Sequence, residues 1–275
     1  MIQQTIFPFK IKTTEERLTA HGGLALMAEF NHGIGLRELT DRYLPGPGSN
    51  RGFEPLEIVD AVVLMLQGGG RSLEDLRRLK EEEGLMKLIG RDEIPEPDTA
   101  GDWLRRMGDP KGGQLGLEGL DRVRGKINER LLKKDGIKEY TLDADATEII
   151  GGKADALFTY KGNKGYMPML GFLYENGVCL LDEFREGNVV PAFGQKEFYL
   201  RCKQGMTRGK RIEYYRGNSA SYQTGLFNQM EEDGVIYGIT ADQDKAVKSA
   251  IALIPRGDWK EPERSCGYEL AETVH

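Results

Sequence analysis

Glu139-Tyr140-Thr141-Leu142-Asp143-Ala144-Asp145 is the stretch on which the fold turns. In an extended chain Tyr140, Leu142 and Ala144 fall on one face, and Thr141, Asp143 and Asp145 on the other. Such a strand needs a sheet to pair with and a core to cover its apolar side. It also sets two carboxylates at i and i+2 on one face, where each disfavours ionisation of the other. A divalent cation held by their oxygens would remove that cost. A solvated strand end, with Thr147 capping a turn, accommodates the same residues.

Downstream the chain alternates strand and helix signals. Ala156 to Tyr160 reads as a strand closed by Lys161-Gly162-Asn163-Lys164-Gly165. Met169 to Tyr174 and Val178 to Phe184 read as a hairpin, because Asn176-Gly177 is a strong turn signal. Pro191 to Gln204 reads as a helix, Arg211 to Tyr215 as a strand, Tyr222 to Glu232 as a helix, Val235 to Thr240 as a strand and Lys245 to Leu253 as a helix. Antiparallel strands followed by alternating elements predict a mixed sheet with helices packed on it. The turn Arg216-Gly217-Asn218-Ser219-Ala220 then lies at the carboxyl end of its strand, where open sheets often bind ligands. An ordinary turn, with Asn218 capping the next helix, fits the residues too.

Upstream the pattern is helical. A helix is expected from Thr14-Glu15-Glu16 through Met27, interrupted at Gly22-Gly23. The breakers of Pro45 to Asn50 mark a turn, and Pro55 to Leu66 reads as a buried helix with proline in its first turn. Ser72 caps the next helix, and Asp98 or Thr99 caps one containing Trp103 to Met107. Short capped helices with exposed arginines suit a helix-turn-helix DNA reader and a plain bundle equally. Arg122, Arg124, Lys126, Arg130, Lys133 and Lys134 fall in one segment opposed within it by Glu129. Such a cluster can bind phosphates, and it can also be a solvated helix face.

Composition narrows the classes. The chain has 275 residues, a net charge of −6 and 30% charged residues, with a mean hydropathy of −0.49. No run approaches the roughly 18 apolar residues of a spanning helix. The N-terminus shows no signal-peptide pattern, and a cytoplasmic location is expected. Cys179, Cys202 and Cys266 make no zinc spacing or disulfide framework, and His21, His32 and His275 form no ligand pair. A metal site would therefore rest on carboxylates, which favours hard ions such as Mg²⁺. Gly68-Gly69-Gly70 lacks the lysine of a phosphate loop, and scarce histidine disfavours a Ser/His/Asp triad.

Four segments in order carry a resemblance: Thr141-Leu142-Asp143-Ala144-Asp145-Ala146-Thr147-Glu148, Tyr160 to Leu170, Arg185-Glu186-Gly187-Asn188, and Tyr215-Arg216-Gly217-Asn218-Ser219-Ala220. Together they resemble the group-1 DDE transposases of bacterial insertion sequences. The resemblance implies an α+β chain: a helical, DNA-binding region over residues 1–134, an RNase-H-like mixed sheet flanked by helices over 135–255, and the start of an inserted segment over 256–275. It implies three carboxylates binding two Mg²⁺ ions, with Mn²⁺ as a substitute. It implies metal-dependent cleavage and transfer of DNA strands, terminal-repeat duplex DNA as partner, dimeric action on paired ends, and a place at the bacterial nucleoid.

The mapping is partial. Asp145 matches the first catalytic aspartate, with Asp143 the runner-up, and both are the expected metal ligands. The second catalytic position falls on Asn218, where the pattern has Arg-x-Asp-Ser. The third acid, in a Tyr-x-x-Arg-x-x-x-Glu pattern, has no match before the sequence ends at His275, and Met167 stands where the family often has histidine. Asn218 offers a carbonyl oxygen but no charge, so the metal should bind weakly or not at all. The expectation is a truncated or decayed copy, catalytically impaired. The alternatives are a non-catalytic DNA-binding remnant that competes with an intact transposase, and an unrelated α+β protein.

Overall fold

The computed structural model of the chain describes residues 13–109, 115–262 and 267–273. The readings that rested on Met1 to Gln4, Cys266 and His275 lie outside the described residues. The chain divides into two compact units, Met1–Leu131 and Leu132–His275, each with its own core.

The first unit is helical: α1 Leu24–Gly33, α2 Leu36–Tyr43, α3 Pro55–Gln67, α4 Leu76–Glu81, α5 Glu83–Leu88, α6 Pro97–Met107 and most of α7, Leu115–Lys134. Helix α3 starts where proline at its first position costs no hydrogen bond. A reciprocal capping box of Glu54 and Glu57 satisfies two of its free donors. Ser72 and Asp75 make the same box before α4. The helix expected from Thr14 does not form; the first helix begins at Leu24. Leu18 is exposed there, and a short helix without a buried face has nothing to offset its nucleation cost. Helix α6 begins at Pro97 rather than after Asp98 or Thr99, again with proline in the first turn.

One charge sits inside this helical core. Asp60, on α3, accepts from Asn31 Nδ2 at 2.5 Å and pairs with Arg91. The surrounding residues Leu64, Ile58 and Ala61 are apolar and fully buried, so the carboxylate persists because both its oxygens are engaged.

The second unit is built on a five-stranded sheet in the order β6-β5-β1-β7-β8. Its strands are β1 Glu139–Ala146, β5 Met169–Leu173, β6 Val178–Glu183, β7 Arg211–Gly217 and β8 Ile236–Ile239. The β6, β5 and β1 neighbours are antiparallel, whereas β1, β7 and β8 run parallel. This is the RNase-H-like mixed sheet. Strand β1 alternates as its sequence requires, with Tyr140, Leu142 and Ala144 buried. They share one core with Phe198, Tyr199 and Cys202 of α8 (Gln195–Gln204), and Leu226 and Met230 of α9 (Thr224–Asp233). A bulge at Glu213 shifts the β1–β7 register, so that Ile212 and Tyr215 both turn inward. Gly177, at φ 69°, makes the hairpin turn before β6.

A second sheet of three short strands, β2 Ile149–Ile150, β3 Leu157–Phe158 and β4 Lys164–Tyr166, sits between β1 and β5 in sequence. The strand read at Ala156 to Tyr160 shrinks to β3. Helix α8 begins at Gln195, four residues after the expected Pro191, because Gly194 in the left-handed region starts it. Helix α10, Lys245–Ala252, follows β8, and beyond it Lys260 and Leu270 pair in one antiparallel bridge.

Candidate active site

Strands β1 and β7 lie side by side and run the same way, so their carboxyl ends meet at one edge. Asp145 stands near the end of β1, exposed. Asn218 follows β7 and caps the short turn Ser219–Ser221. Its Oδ1 accepts from the Ala220 amide at 2.9 Å, which fixes the side chain. Its Nδ2 donates to Asp145 Oδ1 at 2.7 Å. The same carboxylate oxygen accepts from the Ala146 amide at 2.8 Å. The two residues that sequence reasoning assigned to catalysis therefore touch directly.

Asp143 has another partner. It faces Arg216 across the β1–β7 pair, and the guanidinium binds it with both Nε and Nη2, at 2.6 and 2.5 Å. Arg216 also lies over the Tyr174 ring, 4.1 Å from its centroid. The hydrogen bonds it donates to Asp143 hold Arg216 protonated more firmly than usual. The i, i+2 repulsion read from the sequence is thus relieved by an arginine and an amide. Arg216 was quoted in the sequence motif without a role; cross-strand register assigns one.

A two-metal centre needs carboxylate oxygens free to face the ions. Both oxygens of Asp143 are taken by Arg216, and Asn218 turns a donor, not an oxygen, toward Asp145. Among the described residues no group of three or more His, Cys, Asp or Glu is placed to hold a metal ion. The arrangement does not fit a resident pair of Mg²⁺ ions.

Beneath the edge lies a buried polar cluster. Tyr215, Ser221 and Gln195 Oε1 form a triangle of oxygens, with Tyr215 and Ser221 3.0 Å apart and 3.4 and 3.3 Å from Gln195, in which two hydroxyl protons serve three contacts. Burial pushes the Tyr215 phenol up to about 12, against the opposing pull of Ser221, so it stays protonated near neutrality. This cluster, invisible in the sequence, seats the turn that carries Asn218. Arg185, from the third motif, is also buried; it spans Glu183 at 2.6 Å and the Phe193 carbonyl at 2.7 Å.

The three-stranded sheet continues the site. Ala146 faces Met169 in the β1–β5 pair, and three residues further along each strand Ile149 faces Tyr166. The ladder therefore resumes without a slip. Glu148, between the two segments, receives hydrogen bonds from Thr159 and from Asn163 at 3.3 Å, and these bonds, Thr159 first, hold its carboxyl below the usual range. It pins the β3–β4 turn to the end of β1, a role that sequence reasoning missed.

The basic cluster lies along α7 with acids beside it. Along α7, Arg122, Lys126 and Arg130 recur every four residues on one side, but Arg124 points elsewhere. Opposition is not confined to Glu129. Glu118 lies 3.8 Å from Arg122, Asp121 2.9 Å from Arg124, and Glu129 2.8 Å from Lys126. Arg130 reaches Glu38 at 2.7 Å and the Ile34 carbonyl at 2.5 Å. The helix brings its own acids, three and four residues away, beside its cations. Lys133 and Lys134 are exposed at its end.

The comparisons agree with the motif reading. A family model described as "Transposase DDE domain group 1" matches residues 7–272. No curated protein matches the chain. Among solved structures, the Mos1 strand transfer complex is similar at 10% identity and a TM-score of 0.28, covering 86% of this chain and 84% of that one. The Mos1 mariner paired end complex with Mn is similar at 9% identity and 0.28, covering 86% and 85%. The HTLV-2 integrase catalytic core domain in complex with magnesium is similar at 10% identity and 0.27, covering 42% and 68%.

Proposed function

The chain belongs to the transposase DDE domain group 1 family, and from that premise we propose that it binds the terminal-repeat DNA of a bacterial insertion sequence but cleaves it poorly or not at all. The observation that carries this reading is the Asp145–Asn218 hydrogen bond. A pair of carboxylates at these positions would need a cation between them. The aspartate–amide pair is satisfied without one, and its net charge is lower by one. In-line displacement at phosphorus by two metals depends on that missing charge. Asp145 retains the role of the first catalytic position and Asn218 that of a disabled second; Asp143, the other expected metal ligand, is tied to Arg216 instead. Arg122, Arg124, Lys126, Arg130, Lys133 and Lys134 are proposed as phosphate contacts, the exposed Lys133 and Lys134 foremost. Such a protein could occupy DNA ends in competition with an active relative.

The test is Asn218→Asp. Restoring the carboxylate should raise Mn²⁺ affinity by about tenfold or more, the yield of one added charge at contact range in partly solvated surroundings. It should lower the melting temperature without metal and recover it with metal. Calorimetric titration and thermal melts read both effects. The unaltered chain should retain terminal-repeat duplex in a gel-shift assay, more weakly as salt rises. Efficient Mg²⁺- or Mn²⁺-dependent strand cleavage by the unaltered chain, abolished in Asp145→Ala, would overturn the reading of inactivity.

A further inference from the structure

One face of the three-stranded sheet gathers its aromatic rings, and its chemistry is that of a base-stacking platform. Residues paired across antiparallel strands share a face. Phe158 pairs with Lys164, and Tyr166, two residues along β4, pairs with Ile149. These four therefore lie together, and the Phe184 ring packs against Tyr166 at a tilt of 46°, with centroids 5.0 Å apart. Gly187 comes so close to the sheet backbone that a side chain there would run into the Leu157 and Gly165 carbonyls. The opposite face carries no aromatic ring: its paired residues are Ile150, Leu157 and Gly165. Phe158 is 63% exposed, Phe184 64% and Ile149 50%.

Two further features select the occupant. The first is charge. Residues 148–166 carry Lys153, Lys161 and Lys164 against Asp155 and Glu148, the last 3.9 Å from Lys161, which leaves a small positive excess in a chain of net charge −6. Two of these lysines sit over aromatic rings, Lys164 at 5.9 Å from Phe158 and Lys161 at 5.6 Å from Tyr160. Flat rings interleaved with cations match a polyanion with exposed bases. The second feature is continuity. Because the ladder resumes in register, Ile149 falls on the same side as Asp143 and Asp145. Four residues separate Ile149 from Asp145, about 13 Å along an extended strand.

We propose that this face binds unpaired nucleotides at a DNA end, stacking bases on Phe158, Tyr166 and Phe184 with Lys164 beside their phosphates, next to the Asp145 edge. The proposal rests on the DNA-binding reading above but not on catalysis. Its test compares full-length protein on three metal-free probes: a blunt duplex, the same duplex with a short overhang, and a single strand. The overhang should tighten binding between about five- and a hundredfold, the range of one stacked base. A 2-aminopurine in the overhang should change emission on binding. Phe158→Ala and Phe184→Ala should abolish both effects and leave blunt-duplex affinity and the melting curve unchanged, whereas Phe158→Tyr should retain them. Equal affinity for blunt and overhanging duplex would overturn the platform and leave the duplex-binding reading standing. So would a change in oligomeric mass in the alanine variants with overhang preference intact, which would make a second copy the occupant. Failure to bind any DNA would overturn the reading on which the proposal rests.

Discussion

At Asp60 a single carboxylate is committed to two donors inside an apolar core, and its removal exposes the asymmetry of buried charge. Asp60→Ala leaves Arg91 uncompensated and Asn31 short of an acceptor, and should cost about 3–5 kcal/mol in denaturant titrations. A loss below about 1 kcal/mol would show that water replaces the carboxylate. The Asp143–Arg216 pair has the same chemistry in a different setting. Arg216 is half exposed, so Arg216→Gln should cost less than about 1 kcal/mol despite the two-pronged geometry. The residues of the site were legible to unequal degrees. Asp145 and Asn218 could be found because a motif names positions along the chain. The Arg216 pairing could not, because it depends on the β1–β7 register, and a bulge at Glu213 sets that register. Gln195 is twenty residues from Tyr215 in sequence, and nothing local announces their contact.

Elements with a period announced themselves and elements without one did not. Strand β1, eight residues long with clean alternation, was readable to its faces. Strands β2 and β3 have two residues each, too few for any period, so the small sheet escaped notice and its residues read as a strand and a loop. Helix α7 was visible only as a cluster of cations, since its acids, three or four residues off, count as neighbours only once the chain is coiled. One close approach packs the Gly187 loop against the small sheet. Gly187→Ala should force its loop off β3 and β4, with a stability loss of about 1–3 kcal/mol, as for other overpacked sites. The damage should be local. Limited proteolysis should cut first within residues 149–166, while amide exchange in β1 and β7 stays slow. Uniformly faster exchange through both strands would show instead that the small sheet is integral to the larger one.

Across the whole molecule the net charge of −6 says little about any one surface, because its cations and anions are unevenly placed. It says more about acid stability. Asp135 is buried enough for desolvation to oppose its charge, yet Tyr140 at 2.5 Å, Lys210 at 2.9 Å, the Ile137 amide at 3.1 Å and Asn176 at 2.9 Å outweigh that and hold its carboxyl below the usual range. Asp233 follows the same pattern: burial opposes, and Lys203 at 2.5 Å and Tyr199 at 2.8 Å prevail. A carboxylate with a depressed folded-state pKa binds protons more readily when unfolded. Its stabilisation is complete above the unfolded value of about 4 and is lost as pH falls through the folded value. Urea midpoints should therefore hold nearly level from pH 7 to about 5 and drop below about 4. Protonating the 44 acidic residues also leaves 38 lysines and arginines unopposed, which steepens the drop. Asp135→Asn and Asp233→Asn should each be less stable than the parent at pH 7 and approach it as pH falls below about 4 through the folded-state values, because the linked term is lost there. Parallel pH curves for parent and variants would show that these carboxylates act through packing, and that acid sensitivity arises from net repulsion alone.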